Sequence, residues 1–227
     1  MNFNFFMDAL FPKRCIRCHA SIKNGVICEN CRAGITLHSS LFCGKCKARI
    51  QGTSKICHKD FPYILGGAAS YSDETIKMLI HCLKFRGLRG AAEPLAEIMG
   101  KYASGLEINL ADYSVVPIPL SPKRQRERGF NQSDLIGMIF AAHFNMPLET
   151  RMLVRIRHTA PQSATENALE RRANVRGCFM AEDNSMRGRN IILIDDVTTS
   201  GATFLEAAQA AKNAGAKKII ALAAAMA

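Results

Sequence analysis

An open α/β sheet preceded by a small zinc-binding module is the fold this sequence predicts, and three observations carry that expectation. Ile191 to Ile194 form a run of four apolar, mostly β-branched residues with no polar side, as in a strand covered on both faces. The run breaks into Asp195 and Asp196, then into the hydroxyl-rich Thr198, Thr199, Ser200, Gly201, Ala202 and Thr203 ahead of the helix-like FLEAAQAAKNAG. Seven of the nine cysteines lie between Cys15 and Cys57 at paired spacings.

The length of 227 residues, 48% of them hydrophobic, suits a small module plus one medium domain with a buried core. No apolar run approaches the ~20 residues that a membrane helix requires, so membrane insertion is not expected. The start, MNFNFFMDALFP, has no basic region and its apolar stretch is broken by Asp8, so it does not read as a secretory signal. CxxC pairs in a chain without such a signal point to metal ligands in a reducing, cytoplasmic compartment rather than to disulfides.

The cysteines divide into two sets. Cys15, Cys18, Cys28 and Cys31 give two CxxC knuckles, four soft thiolates suited to a closed, structural, tetrahedral Zn²⁺. The pattern then repeats with Cys43, Cys46 and Cys57, and Asp60 stands where a fourth cysteine would fall. Asp60 can ligate through oxygen, His58 is the alternative, and an incomplete relic of the first site is the competing reading. A segment this small builds little core of its own, so metal binding would supply its folding energy. The expected division is a zinc-binding module over residues 1–61 and an α/β domain over 62–227.

Ser72 or Asp73 caps a helix whose apolar face is Ile76, Leu79, Ile80 and Leu83 and which stops at Gly87. Lys84 and Arg86 stand at its carboxyl end, where the helix dipole favours cations; His81 and Cys82 read as packing residues. A second amphipathic helix carries Leu95, Ile98, Met99 and Tyr102. SVVPIP, residues 114–119, is a short strand stopped by prolines. Lys123, Arg124, Arg126, Arg128 and Gly129 follow as a basic loop before a helix starting near Asn131, which is either a solvated charge run or a second anion site. Residues 151–179 hold six arginines and a weak strand, CFMA; after Gly215 the chain ends in a strand, KKIIALAAAM.

Ligands of open α/β sheets bind outside the carboxyl ends of the strands, which is where Asp195 and Asp196 fall. A hydroxyl-rich turn opening a helix offers unpaired amides and a positive dipole end, a cradle for phosphate. Paired carboxylates beside it suit vicinal hydroxyls, so the ligand class is a sugar with a 5-phosphate. An N-cap at Asp196 or Ser200 is the plainer explanation, but one cap accounts for one residue only.

The stretch IILIDDVTTSGAT resembles the phosphoribosyl-pyrophosphate (PRPP) motif of type I phosphoribosyltransferases. That resemblance implies a parallel sheet with helices on both sides, ribose hydroxyls on Asp195 and Asp196, the 5-phosphate on the turn Thr199 to Thr203, and pyrophosphate at Arg128 and Gly129, with Mg²⁺ accompanying PRPP. Thr199 stands where purine-using members often carry an acid. The series RGFNQS, RIRHTAPQ, ERRANVRGCF and DDVTTSGAT, with the CxxC pairs ahead and LKFRG between, is similar to the ComF family of competence proteins over nearly the whole chain. It implies a cytoplasmic PRPP-binding protein that handles single-stranded DNA in natural transformation, with other competence proteins as partners. It also places Arg157, Gln162, Arg171 and Asn174 on a loop over the site. The alternative is an active phosphoribosyltransferase that moves ribose 5-phosphate from PRPP to a base.

Of the formal charge of +11, residues 121–176 carry +5 and frame the proposed site. That surface attracts a polyphosphate or a nucleic-acid backbone. Aromatics able to stack bases are few in the basic stretches, mainly Phe130 and Phe144, which favours backbone contact over base readout.

Overall fold

The computed structural model describes residues 13–50, 57–106, 108–157 and 177–227. In chain order its elements are α1 (Glu29–Ala33), β1 (Leu41–Cys43), β2 (Arg49–Ile50), β3 (Ile64–Ser70), α2 (Glu74–Phe85), a 3-10 turn (Arg89–Ala91), α3 (Ala92–Ser104) and β4 (Tyr113–Pro117). There follow α4 (Pro122–Arg128), α5 (Gln132–His143), β5 (Val154–Arg155), β6 (Phe179–Met180), β7 (Asn190–Thr198), α6 (Ala202–Asn213) and β8 (Lys218–Met226).

Six strands form one sheet in the order β2-β1-β3-β8-β7-β4. The last four are parallel, with Ile192 of β7 level with Ile220 of β8 and Val115 of β4. The apolar run is therefore an inner strand, which is why it needs no polar side. On one face α2, α3 and α5 bury Leu79, Leu95, Met99, Ile136 and Phe140 against Ile192 and Ile194. On the other, α6 sets Phe204, Ala207, Ala208 and Ala211 against Ile191, Leu193, Ala221 and Ala223, small residues that let helix and sheet approach closely. The α/β class and the parallel sheet covered on both faces are as the sequence predicts.

The capped helix at 74–85 forms with Asp73 accepting from the Ile76 amide at 3.0 Å. Two elements differ from expectation. The basic stretch after β4 is a helix rather than a loop, because Ser121 caps it and Pro122 occupies its first turn, where a missing N–H costs nothing. β7 runs on through both aspartates to Thr198, since Asp195, Val197 and Thr198 pair with Ala223, Ala225 and Met226 of β8.

β3 has no strong signature in sequence, because its ILGGAAS is read as neither alternating nor β-branched. Its glycines make room for neighbours. A Cβ at Gly66 would stand 2.8 Å from Leu222 and 3.2 Å from the Tyr102 ring, and one at Gly67 2.9 Å from Met226.

The cysteine-rich segment is tied to this framework. The β1–β2 hairpin pairs antiparallel onto β3, Cys15, Ile27 and Ile35 enter the core under α2 and α3, and Tyr102 donates to the Ser40 carbonyl at 2.6 Å. Arg17 pairs with Glu74 at 2.7 Å, and Arg32 pairs with Glu97. Among the described residues no helix is long and apolar enough to cross a membrane.

Candidate ligand site at the carboxyl ends of the strands

The two aspartates occupy different environments. Asp195 Oδ1 accepts from Ser133 Oγ and from the Asp196 amide, both at 2.9 Å. Ser133 is held there by Asn131, the cap of α5, whose side chain accepts from the Ser133 amide at 3.2 Å and donates to the Ile118 carbonyl at 3.1 Å. The RGFNQS segment thus positions a donor on the first acid. The Asp196 side chain is 2% exposed and its Oδ2 lies 2.7 Å from Lys84 Nζ, itself 17% exposed. Burial, and then the charge of Asp196, push the Asp195 carboxyl up to about 7, with Lys84 pulling the other way. One site thus holds a carboxylate poised to titrate near neutrality beside one in a buried ion pair.

Arg128 ends α4 against this pair. Its Nη1 donates to Gln132 at 2.8 Å; burial lowers its pKa, while Asp196 and Asp195 favour its charge. Gly129 takes a left-handed φ of 72° and spends its amide on the Gln125 carbonyl at 2.9 Å, so the position offers an open Cα side rather than a free donor. Arg155, on β5, feels burial first, then the repulsion of Arg124 and the attractions of Cys178 and Asp195, which places a further arginine near the first acid.

The turn after β7 is lined as a cradle. Thr198 is buried and its carbonyl accepts from Ala227 at 2.9 Å, pinning the turn to the end of β8. Thr199 Oγ1 is buried with no hydrogen-bond partner among the described residues. Ser200 Oγ accepts from the Ala202 amide at 3.4 Å. Gly201, at φ 76°, caps α6, and Ala202 and Thr203 open the helix. Glycine is needed there twice over, since a Cβ would meet Tyr63 Oη at 2.8 Å and Lys47 Nζ at 3.0 Å in a conformation that side chains disfavour. Tyr63 Oη donates to the Gly201 carbonyl at 3.4 Å.

Lys47 comes from the second cysteine knuckle. It is held at φ 62° with its amide donating to the Cys43 carbonyl at 2.9 Å, and its buried ammonium rests against the turn. The cysteine-rich segment therefore reaches the turn after β7. Sequence reasoning missed Lys47, Tyr63 and Arg155, and took Lys84 for a helix-end cation; only the lysine in LKFRG carried a hint. Of the four positions expected on a covering loop, Arg157 stands near Gly177, a Cβ at which would lie 3.8 Å from its Nη1. Gln162, Arg171 and Asn174 lie outside the described residues.

Both metal sets are gathered. The ligand atoms of Cys15, Cys18, Cys28 and Cys31 all lie within 4.8 Å of one another, as do those of Cys43, Cys46, Cys57 and His58. Sulfurs at 3.3 to 3.5 Å, such as Cys46 to Cys57 and Cys18 to Cys28, fit the edges of a tetrahedral Zn²⁺ site. Burial opposes ionisation of Cys15, yet the amides of Cys18, Cys28 and Arg17 bring it down to about 6, whereas burial and the neighbouring thiols push Cys31 up to about 12. Four sulfurs this close favour a divalent cation among them. In the second set His58 Nδ1 is 3.4 Å from Cys43 Sγ and takes the fourth place, with Asp60 outside the gathered atoms. The imidazole is adjacent to Cys57 and turns inward, whereas Asp60 lies two residues further along the turn toward solvent.

A cavity of about 710 Å³ opens at the opposite end of the sheet, between this second set, Tyr113, Lys212 and Lys218. It lies at the amino ends of the parallel strands, away from the acids, so the strand-end rule gives it no part in the site.

Residues 6–59 match the double zinc ribbon domain family. The chain is 28% identical to competence protein F of Haemophilus influenzae, over 94% of this chain and 96% of that protein. It is 30% identical to the DNA utilization protein YhgH of Salmonella typhi, over 90% and 86% respectively, and 30% identical to competence protein ComFC of Bacillus subtilis, over 87% and 77%. A glutamine PRPP amidotransferase of Bacillus subtilis superposes with a TM-score of 0.39 at 17% identity over 58% of this chain and only 26% of that one, too little to bear on the site.

Proposed function

This chain belongs to the ComF family of competence proteins, and from that premise we propose that it is a cytoplasmic PRPP-binding protein that acts with single-stranded DNA in natural transformation, alongside other competence proteins. The observation that carries the reading is the convergence, at one strand end, of an acid pair with a hydroxyl-lined helix N-terminus whose Thr199 hydroxyl is buried and has no hydrogen-bond partner among the described residues.

In this reading the 5-phosphate of PRPP takes the amides and hydroxyls of Thr199 to Thr203, with the ammonium of Lys47 beneath. The ribose 2- and 3-hydroxyls donate to Asp195 and Asp196, carboxylates fixed by Ser133 and Lys84. Arg128 and the open side of Gly129 face the pyrophosphate. Mg²⁺ bound to PRPP would offset part of its pyrophosphate charge beside Arg128. The family resemblance gives Arg157, Gln162, Arg171 and Asn174 a part in holding the ligand. The arginines of α4, with Arg155, form the cationic surface for a DNA backbone. Thr199 in place of an acid gives no group for a base's proton, which favours ligand-dependent DNA handling over phosphoribosyl transfer.

Equilibrium binding of a short single-stranded oligonucleotide at several salt concentrations tests the reading. Log affinity is expected to fall linearly with log salt, by roughly 0.7 per neutralised phosphate, with little dependence on base sequence and with weakening by PRPP. Replacing Arg124, Arg126 and Arg128 by Ala is expected to reduce affinity and slope together. A slope near zero, or one abolished only by removing residues 1–60, defeats this placement.

A further inference from the structure

Phe85, at the end of α2, is 68% exposed. Its surroundings are cationic and aromatic. The Arg128 guanidinium stands 5.6 Å from its ring centre, and the His81 ring, one helical turn back, lies 5.2 Å away at 45°. Lys84, the preceding residue, holds Asp196 at 2.7 Å. Arg86 and Arg89 are exposed on the following turn, neither with a carboxylate partner among the described residues, and Arg89 stacks over Phe130 at 4.9 Å.

A bare phenyl ring costs solvation without adding to the core, and α2 already buries Ile76, Leu79, Ile80 and Leu83 on its inner face. His81, expected as a packing residue, is exposed and lies against this ring, while its neighbour Cys82 is buried. The aromatics named from sequence as stacking candidates are elsewhere engaged: Phe130 is 8% exposed and Phe144 packs on Phe140. An exposed π face beside arginines, flanking a sugar-phosphate site, is the arrangement by which proteins hold single-stranded nucleic acid, with the cations on the backbone and the ring under a base.

We propose that Phe85 is a stacking platform for one nucleobase of a single strand, whose neighbouring phosphates lie on Arg86, Arg89 and Arg128. The inference rests on the reading that this chain acts with single-stranded DNA and adds to it a direct base contact at a defined position. Stacking is sequence-tolerant, because every base presents a π face, so the platform is compatible with binding that ignores sequence.

The chain contains no Trp, so Phe85→Trp places a single indole reporter at the platform. Titration of the full zinc-loaded chain with a thymidine dodecamer is expected to quench its fluorescence, whereas an abasic deoxyribose-phosphate oligomer of equal length, which still binds the arginines, leaves it unchanged. Phe85→Ala and Phe85→Leu are each expected to weaken the dodecamer roughly tenfold, the scale of one base stack, with the salt slope and PRPP affinity unaltered, and Phe85→Tyr to restore it. Leu retains apolar area without a π face, so equal affinity in Leu and Phe proteins overturns the proposal. Quenching by free thymidine but not by the strand overturns it in favour of a free-base site. Failure of the unsubstituted chain to bind any strand instead defeats the DNA reading on which the proposal rests.

Discussion

Replacing Lys84 by Met removes the only cation in ion-pair contact with Asp196 among the described residues and leaves a carboxylate whose side chain is 2% exposed. Breaking a buried pair from one side costs about 3–5 kcal/mol, because the remaining charge keeps its desolvation and loses its partner. The lower end, about 3 kcal/mol, is expected here, since the charge of Arg128 also couples to Asp196. With a urea slope of ~1–3 kcal/mol per molar, that is a fall of roughly 1–3 M in the midpoint of unfolding. Circular dichroism on the zinc-loaded protein reads it directly. Adding Asp196→Asn to Lys84→Met removes both charges and is expected to recover most of the loss, whereas two independent surface effects would simply add. A Lys84→Met protein within about 1 kcal/mol of the parent refutes the idea that this pair is buried and mutually dependent.

Asp195 protonates as pH falls through about 7, so a ligand that needs its carboxylate is expected to bind more weakly below that pH, by up to tenfold per pH unit; calorimetry from pH 8 to 5.5 on parent and Asp195→Asn separates this from titration of the ligand's own phosphates. Gly201→Ala is expected to destabilise the chain by about 1–2 kcal/mol from backbone strain alone, and to weaken phosphate binding through displacement of Tyr63 and Lys47; unchanged melting and affinity contradict the cradle geometry. Metal analysis is expected to find two Zn²⁺ per chain, falling to one in His58→Ala and staying at two in Asp60→Ala, with the reverse result restoring Asp60 as ligand.

The parts of this molecule that the sequence exposes are those whose chemistry is local. The run Ile191 to Ile194, the Asp73 cap, the cysteine spacings and the change from apolar to acidic to hydroxyl residues each mark a strand, a cap, a cluster or a strand-to-helix turn within a few positions. What sequence hides is set by distant neighbours. β3 is a strand because Tyr102, Leu222 and Met226 fill the space its glycines leave. Lys84 looks like a cation at a helix end until the fold delivers Asp196 to it across more than a hundred residues. Lys47 belongs by sequence to a cysteine knuckle and by position to the turn after β7, a link that arises only because the β1–β2 hairpin adds to the edge of the sheet. Phe85 falls on the side of α2 opposite the apolar stripe of Ile76, Leu79, Ile80 and Leu83, a placement the helical period gives, whereas the arginines and the histidine around its ring are brought there by the fold.

The central claim, that PRPP binds at the carboxyl end of β7 through Asp195 and Asp196, is tested most directly by calorimetric titration of PRPP with Mg²⁺ into the zinc-loaded chain and into the Asp195→Asn, Asp196→Asn double variant. One site per chain is expected in the parent, with no detectable heat of binding in the variant and both zinc ions retained. Equal PRPP affinity in a folded double variant, or no binding by the parent, contradicts it.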